Sequence, residues 1–395
     1  MRNAVVVDVV RTASGRGKPG GALHGIHPAE LLAGVLSALL ERTQLEGGQV
    51  EDVLSGCVVQ YGDQSLNIGR QAVLLAGMPE SVPATTIDRQ CGSSQQAVHF
   101  AAQGVQAGAY DIVVACGVES MSRVPMGSNV GEGSPFGPLK RRYPDGLVGQ
   151  GVSAELIASR WGFDRDTLDA FSARSHALAA ETASSGGFDN EIVPVDITVE
   201  DLAGKHVSDE TVRPSTTTEG LAGLKSSFYQ PALAERFPEV KWCITPGNSS
   251  PLTDGASAAL IMEEQVALSL GLTPRARFHA FSVVGSDPLL MLTGVIPATE
   301  KVLGRAGLSL DDIDAYEVNE AFAPVPLAWA ADLKADPEKL NPRGGAIAIG
   351  HPLGASGTRL LATLLNHLEA TGGRYGLQTL CEGGGMANAM IIERL

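Results

Sequence analysis

Two cysteines, a histidine and an asparagine each stand where an apolar run gives way to glycine and other small residues. Cys91 lies in DRQCGSSQQA, Asn319 in VNEAFA, His351 in AIGHPLGASG and Cys381 in LCEGGGMANA. Two thiols and an imidazole suit carbon–carbon chemistry on a thioester. One thiol could serve as a nucleophile, the imidazole could take its proton, and the second thiol could give a proton to a carbanion or remove one. A metal or disulfide role fits less well, because Cys57, Cys91, Cys116, Cys243 and Cys381 form no Cys-x-x-Cys pair and are odd in number. Free thiols point to a reducing compartment, and the cytoplasm is the expected location.

The flanking residues refine these roles. Cys91 follows the strand-like TTID and precedes a helix rich in Ser, Gly and Ala. A strand-to-helix turn there would set the thiol at a helix N-terminus and lower its pKa from about 8.5 toward neutrality. Cysteine is commonly a buried apolar filler, but the company of Asp88, Arg89, Gln90, Gly92 and Ser93 argues against that for Cys91. His351 is expected to end an apolar strand over 346–349, with Pro352 holding it extended, and is the best base in the chain. The other seven histidines read as surface or helix-face residues. Cys381 ends YGLQTLC beside glycines whose N–H groups can form an anion-stabilising nest. Cys57, Cys116 and Cys243 read as structural. Asn319 and Glu320 should occupy a helix-entry turn, where asparagine alone would be an N-cap and the other three loops argue for more.

Strands are expected over 4–10, 53–59, 112–116, 258–262, 313–318, 346–349, 377–381 and 389–392, alternating with helical segments as in an α/β layered protein. Residues 28–40 form an amphipathic helix, with Pro28 in its first turn. A loop, small-residue helix, strand and cysteine follow both Cys91 and His351, with 25 residues from Cys91 to Cys116 and 30 from His351 to Cys381. This suggests a duplicated unit whose two loops meet across a pseudo-twofold axis. Between 119 and 245 long strand signals fade and a polar helix runs over 166–185, as in an insertion covering the active face.

The 395 residues are 44% hydrophobic, 18% charged and 5% aromatic with 47 glycines, enough for a large core of two packed units. A net charge of −15 argues against a nucleic-acid partner. It would also repel coenzyme A, so any site for that cofactor needs a local basic patch. Leu139, Lys140, Arg141 and Arg142 form the densest one, or else a solvated loop, and Arg213 is a further candidate. No run approaches the length of a membrane span, and no signal-peptide core precedes the apolar run from Ala4.

The four segments, with VRTASG at 10–15, GVESMSR at 117–123 and TPGNSSPLTDGA at 245–256, resemble the thiolase family over essentially the whole chain. The resemblance implies a five-layered αβαβα fold of two duplicated halves, one over 1–118 completed by 246–271 and one over 272–395, with an inserted loop domain over 119–245. It implies a homodimer or homotetramer with coenzyme A as co-substrate, no permanently bound cofactor and no metal. Cys91 would be the acyl-carrying nucleophile, His351 its base and Cys381 the acid and base at the acetyl-CoA α-carbon. His351 with a water held by Asn319 would form one oxyanion site, and the backbone N–H groups of Cys91 and Gly383 the other. Ser250 and Phe322 would line the pantetheine tunnel.

Asp88 and the GSSQQA after Cys91 depart from the pattern common in the family and Gly149–Gln150 ahead of VSAE from its short-chain biosynthetic members, while DRQCGSSQQA and VQYGDQS at 59–65 are similar to thiolases of bulky acyl chains. The expected reaction is therefore cleavage of medium to bulky 3-ketoacyl-CoA in fatty-acid or sterol side-chain degradation. Alternatives are acetoacetyl-CoA synthesis, and a non-catalytic lipid carrier that would have lost a reactive group. Ketosynthases and hydroxymethylglutaryl-CoA synthases would use other residues in place of Cys381 and Asn319.

Overall fold

The structure is a computed structural model and describes residues 2–199 and 202–395. Its centre is explained by strands with no polar face. All nine residues of β1 (Ala4–Thr12), all nine of β4 (Ile112–Ser120) and all eleven of β5 (Thr253–Glu263) are buried. Strands covered on both sides need helices on both sides. Along the main path of this sheet the others are β2 (Asp52–Gly56), β3 (Ala84–Ile87), β6 (Ala276–Gly285), β7 (Ala315–Val318), β8 (Tyr375–Glu382) and β9 (Met386–Arg394), while the short strands Gly15–Arg16 and Ile192–Val193 pair with β5 and β1.

The strands run in the order β7-β8-β9-β6-β1-β5-β4-β2-β3, and the two halves join where Val5 and Val6 of β1 meet Arg277 and Ala276 of β6. Each half repeats one directional pattern. The pairs β1–β5 and β5–β4 are antiparallel and β4–β2 parallel, and likewise β6–β9 and β9–β8 are antiparallel and β8–β7 parallel. The duplication expected from the sequence is thus visible in the pairing. Helices α3 (Ser93–Ala107) and α9 (Ser356–Thr371) pack against each other between the two sheet halves, with Val98, Ala101, Leu361 and Leu365 in one shared core. On the outer faces α1 (Pro28–Thr43) and α2 (Ile68–Leu75) cover the first half, and α6 (Val295–Ala306) and α7 (Pro324–Leu333) cover the second. These are the five layers.

Between β4 and β5, α4 (Gln150–Trp161) and α5 (Arg165–Ser184) do more than cover a face. Ala154, Ile157, Leu168 and Phe171 enter the core of the second half beside Val318 and Trp329. Arg11 of β1, fully buried, ties this insertion down by ion pairs of 2.7 Å to both Glu191 and Asp209. No helix among the described residues is long and apolar enough to cross a membrane.

Three local expectations need correction. Residues 346–349 form a single helical turn, α8 (Ala346–Ile349), because Glu320 accepts the Ile347 N–H at 3.1 Å and no strand lies alongside. The strand expected over 53–59 stops at Gly56, where the buried Glu119 carboxylate takes the Val58 and Val59 N–H groups. Strand β6 escaped notice because its apolar positions alternate, with Ala276, Phe278 and Ala280 buried and Arg277 and His279 not, instead of forming a continuous run. The cysteine of the repeat also shifts. Cys116 sits in the middle of β4 opposite Ala258, whereas Cys381 is at the penultimate position of β8. Only the second reaches a loop.

Candidate active site

The loops leaving β3, β4, β7, β8 and α8 converge around Cys91. Cys91 precedes α3, whose N-cap is Gly92, and packs against Val58, Val59, Met121, Val124 and Leu353, the last of these two residues beyond His351. Gly92 also touches the end of β8. A Cβ there would lie 2.1 Å from Glu382 Oε1, and its carbonyl accepts a 3.0 Å bond from Asn388 Nδ2. The two cysteines are near enough that charge on Cys91 raises the pKa of Cys381. Sequence-distant thiols are thereby brought into one site.

The helix-terminus effect expected at Cys91 does not prevail. Burial, reinforced by the Glu382 charge and opposed by a contact with Gln150, pushes its thiol up to about 12. Desolvation penalises a thiolate more than the dipole end favours it. The Cys381 thiol is also raised, first by burial and then by Cys91 and Glu382. Both thiols are therefore neutral at ordinary pH, so either can react as a nucleophile only as its proton leaves.

His351 is held as a neutral ring with one defined basic nitrogen. Burial, with the Arg359 charge, lowers its pKa to about 3, which keeps the ring neutral. Ser356 Oγ lies 2.6 Å from Nδ1 and gives its own proton to the Pro352 carbonyl at 2.8 Å. The serine oxygen must then accept from Nδ1–H, which leaves Nε2 as the basic nitrogen. Asn319 Nδ2 lies 3.3 Å from Nε2, while its Oδ1 is buried without a partner. The His351 N–H donates to Thr253 Oγ1 at 3.0 Å. At Gly350 φ is +97°, and a Cβ would meet Thr253 Oγ1 at 2.6 Å, so the turn into His351 requires glycine.

Buried carboxylates hold these loops. Glu320 accepts from Ser175 Oγ, Asn341 Nδ2 and Ile347 N–H, which fixes the residue next to Asn319. Glu119 accepts from the N–H groups of Val58, Val59 and Gly354 and from Gln64 Nε2 at 2.8–3.0 Å, joining the first half to the His351 loop. Its removal leaves four buried donors unsatisfied. Glu119→Ala is expected to cost about 3 kcal/mol or more, read as a fall in the urea midpoint. Sequence reading missed Glu119, Ser356, Thr253, Gln150 and Glu382 as site residues. Only the apolar flanks of Glu119 and Glu382 signalled their burial.

Gly383, with Gly384 and Gly385 at positive φ, forms the glycine turn after Cys381. It borders a cavity of about 570 Å³ whose walls include Gln90, Gln150, Phe136, Leu139, Tyr143 and Met291. Lys140 lines this cavity, but Arg141 and Arg142 do not. They are exposed on the adjoining turn, with the Arg142 guanidinium 5.6 Å from the Tyr143 ring. Arg213 is also exposed and acts on His176 instead. Ser250 and Phe322 adjoin the Asn319 loop. The Ser250 N–H and Oγ both donate to the Ala321 carbonyl, and Phe322 bridges to Ser249 and packs edge-on to Phe228 at 6.0 Å. A depression of about 580 Å³ near Gly77 and Pro79 contains none of the reactive side chains.

Comparison with known proteins agrees with this geometry. The family model described as thiolase, N-terminal domain, matches residues 4–265, and that described as thiolase, C-terminal domain, matches 272–394. The chain is 48% identical over 404 residues to the steroid 3-ketoacyl-CoA thiolase FadA6 of Mycobacterium tuberculosis, covering 100% of this chain and 95% of that one. It is 44% identical over 399 residues to the 3-ketoacyl-CoA thiolase of Aliivibrio salmonicida, covering 100% of both. Among solved structures, the acetyl-CoA acetyltransferase of Bacillus anthracis superimposes with a TM-score of 0.89 at 36% identity, covering 100% of this chain and 99% of that one. With both domain models and full-length relatives in agreement, the chain belongs to the thiolase family.

Proposed function

We propose that this thiolase cleaves medium to bulky 3-ketoacyl-CoA with coenzyme A, giving acetyl-CoA and an acyl-CoA shortened by two carbons. The observation that carries the reading is the pair of neutral buried thiols together with a neutral imidazole, on the loop whose Leu353 shares the Cys91 cluster, with Nε2 as its unprotonated nitrogen opposite Asn319 Nδ2. Cys91 Sγ attacks the 3-keto carbon as its proton passes to His351 Nε2. The tetrahedral oxyanion collapses, the bond between C2 and C3 breaks, and its electron pair forms the acetyl-CoA enolate. Cys381 gives its proton to the α-carbon and becomes a thiolate. Coenzyme A then yields its own thiol proton to Cys381 and attacks the acyl group, and Cys91 leaves with the proton held on His351. Cys91 and His351 regain their starting protonation, and the coenzyme A thiol proton replaces the one that Cys381 gave to acetyl-CoA, so the scheme closes without a resident cofactor.

In this reading the Cys91 and Gly383 N–H groups stabilise one oxyanion, and His351 with a water on Asn319 stabilises the other. Ser250, Phe322 and the basic residues Arg141, Arg142 and Arg213 remain the candidates for coenzyme A contacts. The inserted segment 119–245 walls the acyl cavity, and the active assembly is a homodimer or homotetramer. Preference for bulk is supported by the apolar wall of Phe136, Leu139, Tyr143 and Met291 beside Gly383, and by the 48% identity to a relative named for steroid substrates. The test is coenzyme A-dependent loss of acetoacetyl, medium-chain, long-chain and steroidal 3-ketoacyl-CoAs. We expect kcat/KM to rise at least about tenfold from acetoacetyl to the bulky substrates, as burial of several methylenes would give. Equal or greater activity on acetoacetyl-CoA would favour the biosynthetic reading.

A further inference from the structure

A third ionisable group adjoins the two cysteines and has no part in the cleavage scheme. Glu382 ends β8 directly after Cys381, and its Oε1 abuts Gly92, directly after Cys91. The side chain is 0% exposed and neither carboxyl oxygen has a hydrogen-bond partner. Glu317, inside β7, is likewise buried and unpartnered, but other buried glutamates are tied down. Glu119, Glu155 and Glu320 each accept two or more hydrogen bonds that hold a loop. A carboxyl that ties nothing down is not explained by loop support.

The groups around Glu382 are few. Asp88, Arg89 and Cys91 face it from the turn ahead of α3, Cys381 precedes it on β8, and β9 offers only the non-ionising Asn388. His99 of α3, beside Arg89, is held near 3 by burial and is neutral. Burial raises the Glu382 carboxyl to about 8, with Arg89 opposing and Asp88 adding to the rise. Its charge in turn raises both thiols.

We propose that Glu382 is a positioning residue that gates the catalytic thiols through its own ionisation. As a neutral acid it leaves Cys91 and Cys381 free to form thiolates, and as a carboxylate it opposes both. The three groups titrate as a coupled set. Because the folded-state value is raised, the neutral form holds below about pH 8 and is lost as pH rises through it. Wild-type kcat/KM should therefore fall on the alkaline side, where thiolate chemistry alone would rise. The inference rests on Cys91 and Cys381 as the reactive pair, and its first readout needs no substrate.

The experiment compares wild type, Glu382→Gln and Glu382→Met. Iodoacetamide alkylation of Cys91, assigned by peptide mass, is followed from about pH 6 to pH 10, and kcat/KM over the same range. Removing a neighbouring carboxylate shifts a thiol by about one pH unit. Both variants should alkylate about tenfold faster than wild type near pH 9, with little difference near pH 6.5, and lose the alkaline fall in kcat/KM. Superimposable profiles would overturn the proposal. So would failure of both neutral variants to fold, since the carboxyl would then be a structural requirement. Absence of cleavage by the wild type, alongside the expected difference in alkylation profiles, would contradict the proposed reaction and leave the gate standing.

Discussion

Cys91→Ala is expected to lower coenzyme A-dependent cleavage of a 3-ketoacyl-CoA by at least about 10⁴-fold, equivalent to roughly 5.5 kcal/mol of lost transition-state stabilisation. Alanine retains the small side chain among Val58, Val59 and Leu353 but cannot form the covalent acyl intermediate. Direct attack by coenzyme A on the 3-keto carbon would have to replace it, without the His351 proton path arranged for the Cys91 sulfur. The checks are steady-state rate and intact-protein mass. Wild type mixed with substrate should gain the mass of the shortened acyl group, and the variant should gain none. Residual cleavage within tenfold of wild type would remove Cys91 as the nucleophile.

Cys381→Ala should produce an equally large loss of cleavage, about 10³- to 10⁴-fold, but separate the two half-reactions. Cleavage of the bond between C2 and C3 leaves an enolate whose carbon needs a proton, and the variant has no acid there. Exchange of labelled coenzyme A into a simple acyl-CoA needs only attack by Cys91 and proton movement through His351, with no change at an α-carbon. Exchange should stay within about tenfold of wild type while cleavage collapses. Equal loss of both would mean that Cys381 serves the acylation step or supports the site structurally. The buried Cys57, Cys116 and Cys243 supply no comparable function in this scheme, although their thiols are raised as well.

The four candidate side chains stood out in the sequence because each lies at an abrupt local transition. Apolar residues ending at Cys91, Asn319 and Cys381 mark strand ends, and the following glycines leave the backbone open to a substrate. The repeat was equally legible, since alternating loops, helices and strands follow both Cys91 and His351. Its structural counterpart is the matching strand directions in the two halves. Local reading failed where one side chain answered to a distant one. Residues 346–349 resemble a strand until Glu320 takes a backbone N–H from their turn. Of the basic patch over Leu139–Arg142, Leu139 and Lys140 line the cavity while Arg141 and Arg142 are exposed on the adjoining turn.

Charge state required the folded chain. From sequence, Cys91 at the start of α3 should be acidic, as helix termini favour anions. The packed thiol is instead pushed to about 12, because Val58, Val59, Met121 and Leu353 exclude water and Glu382 adds an opposing charge from 291 residues away. Residue type and local pattern determine which groups can react and where elements end, since these depend on neighbours in the chain. Ionisation, tautomer and mutual placement depend on desolvation and on contacts between remote segments, such as Ser356 on His351 and Glu119 across the two halves. The family and the candidates for its chemistry are thus written along the chain, while the proton inventory of the site exists only once the layers have closed around it.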